Sequence, residues 1–347
     1  TEIYTRIDSS AASDVYKRQI EAFMEGVRDV EELHSTGQTV AAALTSASTQ
    51  KYIGDPVEVS MAYLYIGLSY YMKGDYQNAL VGFRRSLEED LSKEEARQGD
   101  MGITNYMMGE TFLQIDRYDD AAVAFRRAIE HQDDLAPAYM GLYDALDKMG
   151  STADLMMIEN KLDSLMDDNI KENWREYPDQ GITVAMFCGR ASKVKKDAFL
   201  GAFRKRAENK HKVKQWYLNV IPEPGRSKIY FSDAMHEHFT DQGGLGDEVR
   251  KQTTRAVVGT GMKALLGFSL GGADADIRYW PTIPGYIYIG YVPVPAGSYS
   301  IEVEGVSKKD KPIEAFTRTY RGIKVAEGKR TLVVLTSFGT VSSSVNR

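Results

Sequence analysis

The motif with the clearest chemical meaning lies near residue 270. Residues 267–271 read Gly-Phe-Ser-Leu-Gly, the G-x-S-x-G pattern that presents the nucleophilic serine of α/β-hydrolases between a strand and a helix. In those enzymes the histidine that acts as base follows the serine along the chain. Here all five histidines precede Ser269, and residues 245–270 have the apolar spacing of a helix. A serine hydrolase therefore stays only the enzymatic alternative, and we expect a protein that is not an enzyme.

A second candidate for chemistry is the pair of imidazoles at His236 and His238. An extended backbone would place both on one face, but a metal ion needs at least one more protein ligand. No residue nearby has the spacing of a known site. The single cysteine, Cys188, excludes an internal disulfide and a cysteine-rich metal site. We therefore expect neither a metal ion nor a cofactor.

Cations are concentrated between residues 190 and 214 of a chain whose net charge is −6. Phe199, Leu200 and Phe203 lie among them, so the segment is predicted to form a basic amphipathic helix. Such a helix would either bind an anionic membrane or wall polymer, or connect two domains with a solvated face. The candidate residues for an anionic surface are Lys193, Lys195, Lys196, Arg204, Lys205 and Arg206.

Asp276, Arg278 and Trp280 alternate along the chain, so an extended backbone places all three on one face. A carboxylate–guanidinium pair beside an indole could fix the position of a domain. It could also form a platform on which a sugar or a peptide stacks. Pro281 and Pro284 favour a fixed corner of the backbone, and hence the structural role.

Two kinds of structure must position these residues, and the first is a segment that occurs twice. Its copies are 42 residues apart, as Tyr76 and Tyr118 show. The matched positions are Tyr63, Ile66, Gly67, Tyr70, Asp75, Tyr76, Ala79 and Phe83, then Asn105, Met108, Gly109, Phe112, Arg117, Tyr118, Ala121 and Phe125. This order resembles the tetratricopeptide repeat, a pair of antiparallel helices.

Residues 137–165 supply a third, degenerate copy, which suits the end of a repeat array. The resemblance implies stacked helix pairs whose concave face, on the inner helices, holds another protein. The matched aromatic residues can also form the core and rim of the repeats themselves. The candidate residues for partner binding are Tyr63, Tyr70, Asn105, Phe112 and Tyr139.

From about residue 178 the apolar periodicity becomes that of strands. Strands are predicted over 181–187, 215–221, 228–231, 285–294, 298–306, 315–325 and 330–335, with turns at 295–297 and 326–328. We therefore expect an α+β chain with two domains. Helical repeats occupy residues 20–170, and a β-rich, sandwich-like domain with helices at 190–214 and 245–270 occupies residues 171–347.

The last strands resemble small wall- or carbohydrate-associated sandwich modules of exported proteins. Their P-A-G-x-Y-x-I-x-V pattern stands here at residues 295–303. Residues 52–58 and the Asp-x-Arg-x-Trp segment at 276–280 extend this resemblance. Roughly residues 40–340 together resemble a family of uncharacterised bacterial envelope lipoproteins. That family has Leu at the position where this chain has Ile283. The resemblance implies a periplasmic or outer-membrane-anchored lipoprotein that acts as a scaffold or adaptor, and it implies no activity.

Residues 1–19 are expected to lie outside the native protein. Residues 1–4 and 9–19 back-translate to the adapter and transposon end used to prepare DNA for sequencing, which indicates a metagenomic or similarly assembled fragment. The true start, with any export signal, would then be missing. The 43% hydrophobic and 27% charged composition is that of a folded globular protein, and the mild acidity argues against nucleic acid as a partner.

Overall fold

The computed structural model describes residues 3–5, 56–89, 101–189, 194–196, 204–206, 213–222, 225–235, 280 and 283–338. The helices in these ranges are α1 (Pro56–Lys73), α2 (Tyr76–Glu89), α3 (Gly102–Gln114), α4 (Tyr118–His131), α5 (Ala136–Lys148), α6 (Thr152–Leu165) and α7 (Asp168–Glu176). The strands are β1 (Ile3–Thr5), β2 (Gly181–Cys188), β3 (Val194–Lys196), β4 (Arg204–Arg206), β5 (Gln215–Ile221), β6 (Gly225–Ala234), β7 (Tyr286–Pro293), β8 (Gly297–Val306), β9 (Pro312–Val325) and β10 (Arg330–Phe338).

The helices α1 to α6 form three consecutive antiparallel pairs, as the repeat predicts. The turn inside each pair contains one residue with positive φ, at Gly74 (78°), Asp116 (56°) and Gly150 (69°). Glycine adopts this left-handed conformation without strain, and aspartate is among the few other residues that visit it. The three turns therefore mark equivalent positions, which fixes the alignment of the three repeats.

Small residues set how closely the helices of the repeats approach one another. A Cβ added to Gly82 of α2 would lie 2.7 Å from the backbone nitrogen of Gly67 in α1. The ring of Phe125 in α4 packs against both Gly109 and Gly141, where an added Cβ would lie 2.7 Å and 2.3 Å from ring atoms. Because real Cβ atoms do not approach so closely, these glycines are required by packing.

The C-terminal strands join into one eight-stranded sheet in the order β1-β10-β2-β7-β6-β5-β8-β9. The β2–β10 pair is parallel, and the other neighbours are antiparallel. Every residue of β2 is buried, whereas β5 alternates between buried and half-buried residues. Apart from β1, these strands lie where the sequence predicts them, while the sandwich-like arrangement stays a prediction. One hydrophobic core runs from the helices into the sheet.

The prediction of a basic helix over residues 190–214 is wrong where this segment is described. Val194–Lys196 and Arg204–Arg206 form two short strands that pair antiparallel with each other. The β-branched Val194 and the glycine at position 201 both lower helix propensity, which the count of charges and aromatic residues had ignored. The helix predicted over 245–270 lies outside the described residues.

Two further elements lie at predicted boundaries, and the domain bounds themselves stay a prediction. Helix α7 ends at Glu176, beyond the domain boundary predicted at residue 170. At one edge of the sheet, Ile3–Thr5 pair with Val333–Leu335 of β10. Three residues of the segment expected to lie outside the fold therefore form backbone pairs with the sheet, and the adapter origin of residues 1–19 stays a prediction.

Candidate functional site

The first helices of the three pairs, α1, α3 and α5, each contact strands of the sheet. The ring of Tyr65 in α1 lies 5.5 Å from that of Phe187 in β2 and 6.1 Å from that of Trp280. In helix α3, ten of the residues from Gly102 to Phe112 are buried. Strands of the same chain therefore cover the face that a repeat stack would offer to a partner.

A buried ion cluster holds this contact together at Arg330, the first residue of β10. Its Nη1 donates to Oε1 of Glu110 in α3 at 2.8 Å, and its Nη2 donates to Oδ2 of Asp144 in α5 at 3.2 Å. The same Nη2 donates to the Pro178 carbonyl at 3.2 Å. The guanidinium carbon lies 4.6 Å from the centre of the Tyr291 ring. One side chain from the sheet thus joins two repeats.

Burial and the neighbouring charges shift the pKa values of Asp144 and Arg330. Burial raises the pKa of the Asp144 carboxyl to about 6, and attraction to Arg330 and Lys148 opposes that rise. The pKa of Arg330 lies well above its usual range, because burial alone would lower it but the Glu110 and Asp144 carboxylates raise it. Oε2 of Glu110 and Nε of Arg330 lack a hydrogen-bond partner among the described residues. A buried cluster of this kind fixes geometry more than it adds stability.

A second polar contact caps helix α3 from the sheet. Oδ1 and Oδ2 of Asp233 in β6 accept the N–H groups of Gly102 and Ile103, each at 2.8 Å. A carboxylate at this position satisfies orphan donors and favours the positive end of the helix dipole. A Cβ on Gly102 would lie 3.1 Å from Oγ of Ser232, so the strand approaches the helix end very closely.

Of the residues predicted to bind a partner, Asn105 and Phe112 are instead part of the interior. Their exposed fractions are 1% and 4%, because helices cover one side of α3 and strands cover the other. A partner binding to the assembled chain does not reach them, which corrects the prediction for these two. Tyr63, Tyr70 and Tyr139 are half-buried, and their role in partner binding stays a prediction.

The other candidate residues are described only in part. The N–H of Trp280 donates to Oε1 of Glu58 in α1 at 3.0 Å, so this residue contacts the repeats, while Asp276 and Arg278 lie outside the described residues. Lys195 and Lys196 lie in β3, and Arg204, Lys205 and Arg206 lie in β4. Lys193, Ser269, His236 and His238 also lie outside the described residues.

Two further findings concern metals and membranes. In the part of the chain that the structure describes, no three His, Cys, Asp or Glu residues are grouped so that they could hold a metal ion. No helix in the same ranges is both long and apolar enough to span a bilayer.

Sequence reasoning missed a row of exposed apolar residues on the second helices of the pairs. Val81 in α2, Val123 in α4 and Met157 in α6 each stand seven residues after the left-handed turn residue of their repeat. Their exposed fractions are 53%, 51% and 70%, and the adjacent Met156 is 72% exposed. We call Val81, Val123, Met156 and Met157 the outer row. Aligning the repeats on their turns would have revealed it.

Comparison with protein-family models agrees with the repeat type. A tetratricopeptide repeat family model matches residues 61–90. A crystal structure of MamA is similar at 16% identity, covers 48% of this chain and 90% of that chain, and has a TM-score of 0.28. A second MamA crystal structure has 18% identity, 48% and 94% coverage, and a TM-score of 0.27. No curated protein matches the chain. The family match and the helix pairs establish that the chain contains tetratricopeptide repeats.

Proposed function

We propose that this protein is a non-enzymatic scaffold that binds other proteins in the bacterial cell envelope. The observation that carries the proposal is the stack of three helix pairs, the first of which matches the tetratricopeptide repeat. Stacked repeats expose long surfaces because each pair contacts only its neighbours. Such surfaces commonly serve to bind proteins.

The buried charged residues support a structural role for the polar groups. Arg330 binds both Glu110 and Asp144 between the helices and the sheet, and all three side chains are at most 8% exposed. A catalytic acid or base needs access to a substrate. These groups hold the repeats on the sheet and so keep the outer surface of the repeats in a fixed shape.

A photo-crosslinking experiment tests the scaffold function. A benzophenone amino acid is introduced at Val123 on the outer face, at Tyr139 on the half-buried rim, and at Ile221 on the sheet. A scaffold should give a crosslinked product of defined size from at least one repeat position, and excess unlabelled protein should compete it away. Absence of any competed product from both repeat positions would contradict the proposal.

The envelope location rests on the sequence resemblance, and the DNA upstream of residue 20 tests it. We expect a signal sequence that ends in a lipid-attachment cysteine. The protein expressed from that complete gene should then be accessible to protease in spheroplasts. A gene without an export signal, with a product protected inside spheroplasts, would contradict this part of the proposal.

A second candidate function is binding of an anionic membrane or wall polymer through residues 190–214. The observation that favours it is the register of β3 and β4, which sets Lys195 opposite Lys205 and Lys196 opposite Arg204. Like charges on directly opposed strand residues are destabilising, and an anion would relieve that repulsion. Each cation near an anionic membrane contributes about 1 kcal/mol.

Flotation with phosphatidylglycerol vesicles tests this candidate. The tested variant replaces Lys193, Lys195, Lys196, Arg204, Lys205 and Arg206 by Gln, and the matched control replaces the exposed Lys308, Lys309 and Lys311. The wild type and the control should float at low salt and separate from vesicles as salt rises, because charges are screened over about 8 Å at physiological ionic strength. The six-residue variant should not float. A wild type that fails to float at low salt would exclude this candidate.

A further inference from the structure

The outer row concentrates the exposed apolar surface of the repeats. Six large hydrophobic side chains are strongly exposed in the described residues, and four of them are Val81, Val123, Met156 and Met157. Equivalent positions in a stack of repeats lie on the same face. Apolar residues exposed together on one face of a folded protein are a feature of interaction sites.

A basic row runs beside the outer row. Arg84 and Arg85 follow Val81 by three and four residues, and Arg126 and Arg127 follow Val123 in the same way. Residues spaced three and four apart on a helix are neighbours on its surface, so both pairs of arginines flank the apolar positions. All four arginines are exposed.

The acidic residues already near these arginines leave them accessible to a partner. Arg85 contacts Glu88 at 3.1 Å and Arg126 contacts Asp154 at 3.1 Å, with side chains about half exposed in each pair. Exposed ion pairs contribute little and exchange readily with solvent. A carboxylate that arrives with an apolar surface can therefore compete for the same guanidinium groups.

We infer that the outer face of the repeats docks an acidic amphipathic helix of a partner protein, an inference that rests on the proposed scaffold function. Helices α2, α4 and α6 hold equivalent places in consecutive repeats, so their outer-row residues lie on one face of the stack. A partner helix lying across α2, α4 and α6 would place the apolar stripe of an amphipathic helix against the outer row. Its carboxylates, on one flank of that stripe, would face the arginines.

A designed peptide is the probe for this inference. It is a fluorescein-labelled helix of about three heptads. Two positions of each heptad, on one face of the helix, are Leu, and Glu lines one flank of that face. A control peptide has Lys in place of each Glu. Fluorescence anisotropy should show saturable binding of the Glu peptide to the full chain, weakening as salt rises, and at least tenfold weaker binding of the Lys peptide.

Variants locate the binding. Changing Val81, Val123 and Met157 to Ser should weaken the Glu peptide by about tenfold or more, whereas the exposed control Ile221→Ser should leave binding unchanged. Changing Arg84 and Arg127 to Gln should weaken binding and flatten its salt dependence. An unchanged melting temperature in each variant verifies the fold, and because the substituted side chains are exposed, we expect no change.

The outcomes separate this inference from the scaffold function. Failure of the Glu peptide to bind, equal binding of the Lys peptide, or unchanged binding by the triple Ser variant would overturn the acidic-helix inference. If crosslinking from Tyr139 still gives a competed product in that case, the scaffold function stands and uses another surface. If crosslinking fails at both repeat positions, the scaffold function itself is contradicted.

Discussion

The cluster around Arg330 predicts that stability depends on pH through Asp144. This carboxyl is buried where α5 meets the sheet, and its Oδ2 lies 3.2 Å from Nη2 of Arg330. Burial raises its pKa from 3.8 to about 6, and the nearby cation only partly offsets the rise. Between these two values the folded protein holds a proton on Asp144 that the unfolded chain has already released. Replacing Asp144 by Asn removes the titration and keeps an oxygen that can accept from Arg330.

The sign and size of the effect follow from these two pKa values. A group whose pKa is raised on folding contributes stability that is fully present below the unfolded value. That contribution is lost as the pH rises through the folded value. Here the window runs from about pH 4 to above pH 6, because folding raises the pKa of Asp144 from 3.8 to about 6. At 1.36 kcal/mol per unit, the loss from Asp144 alone is at most about 3 kcal/mol.

Urea unfolding, followed by far-ultraviolet circular dichroism between pH 4.5 and 7.5, measures this effect. The free energy of unfolding of the wild type, minus that of Asp144→Asn, should fall by about 2 kcal/mol across this range. Asp154→Asn is the matched control, because Asp154 is 46% exposed in a surface pair with Arg126 and exposed pairs contribute little to stability. A difference that stays constant within about 0.5 kcal/mol, or that grows with pH, would refute the reasoning.

Three further predictions concern packing and capping. Asp233→Ala should lower the free energy of unfolding in urea by about 1–2 kcal/mol, because two N–H groups of α3 lose their acceptor; no change would show that water replaces the cap. Ala79→Leu and Ala121→Leu, at positions that are 0% exposed, should each cost about 1–3 kcal/mol through overpacking, and wild-type stability would contradict the repeat alignment. Deleting residues 1–19 should change stability by less than about 1 kcal/mol, and a larger loss would show that the Ile3–Thr5 pairing is part of the native fold.

The elements of this fold could be predicted because their signals are local. Gly74 ends α1 with a left-handed turn, as its identity and position indicated. Strand β5 has the predicted bounds, Gln215–Ile221, because its alternation ends at Pro222, which cannot donate to a ladder. Turn residues and apolar periods depend on neighbours within about one or two turns of chain, and the sequence contains all of that information.

The candidate site was harder to predict because exposure depends on distant parts of the chain. The repeat pattern indicates which side of α3 packs on its partner helix, but it contains no information about what covers the other side. Asn105 and Phe112 were therefore expected on an open surface and are buried. For the basic segment the error was of another kind, since charge and a few aromatic residues were given more weight than the low helix propensity of Val194.

The contact between repeats and sheet explains both what was missed and where binding is expected. Arg330 is separated from Glu110 by 220 residues and from Asp144 by 186, and Asp233 from Gly102 by 131. In the sequence each of these is one charged residue in a polar neighbourhood, and no short pattern relates it to its partner. Once the sheet occupies the inner face, helices α2, α4 and α6 are the ones that turn a side to solvent. The exposure of Val81 and Val123 at equivalent positions then has a reason, because the repeat places its apolar and arginine residues where a second helix can reach them.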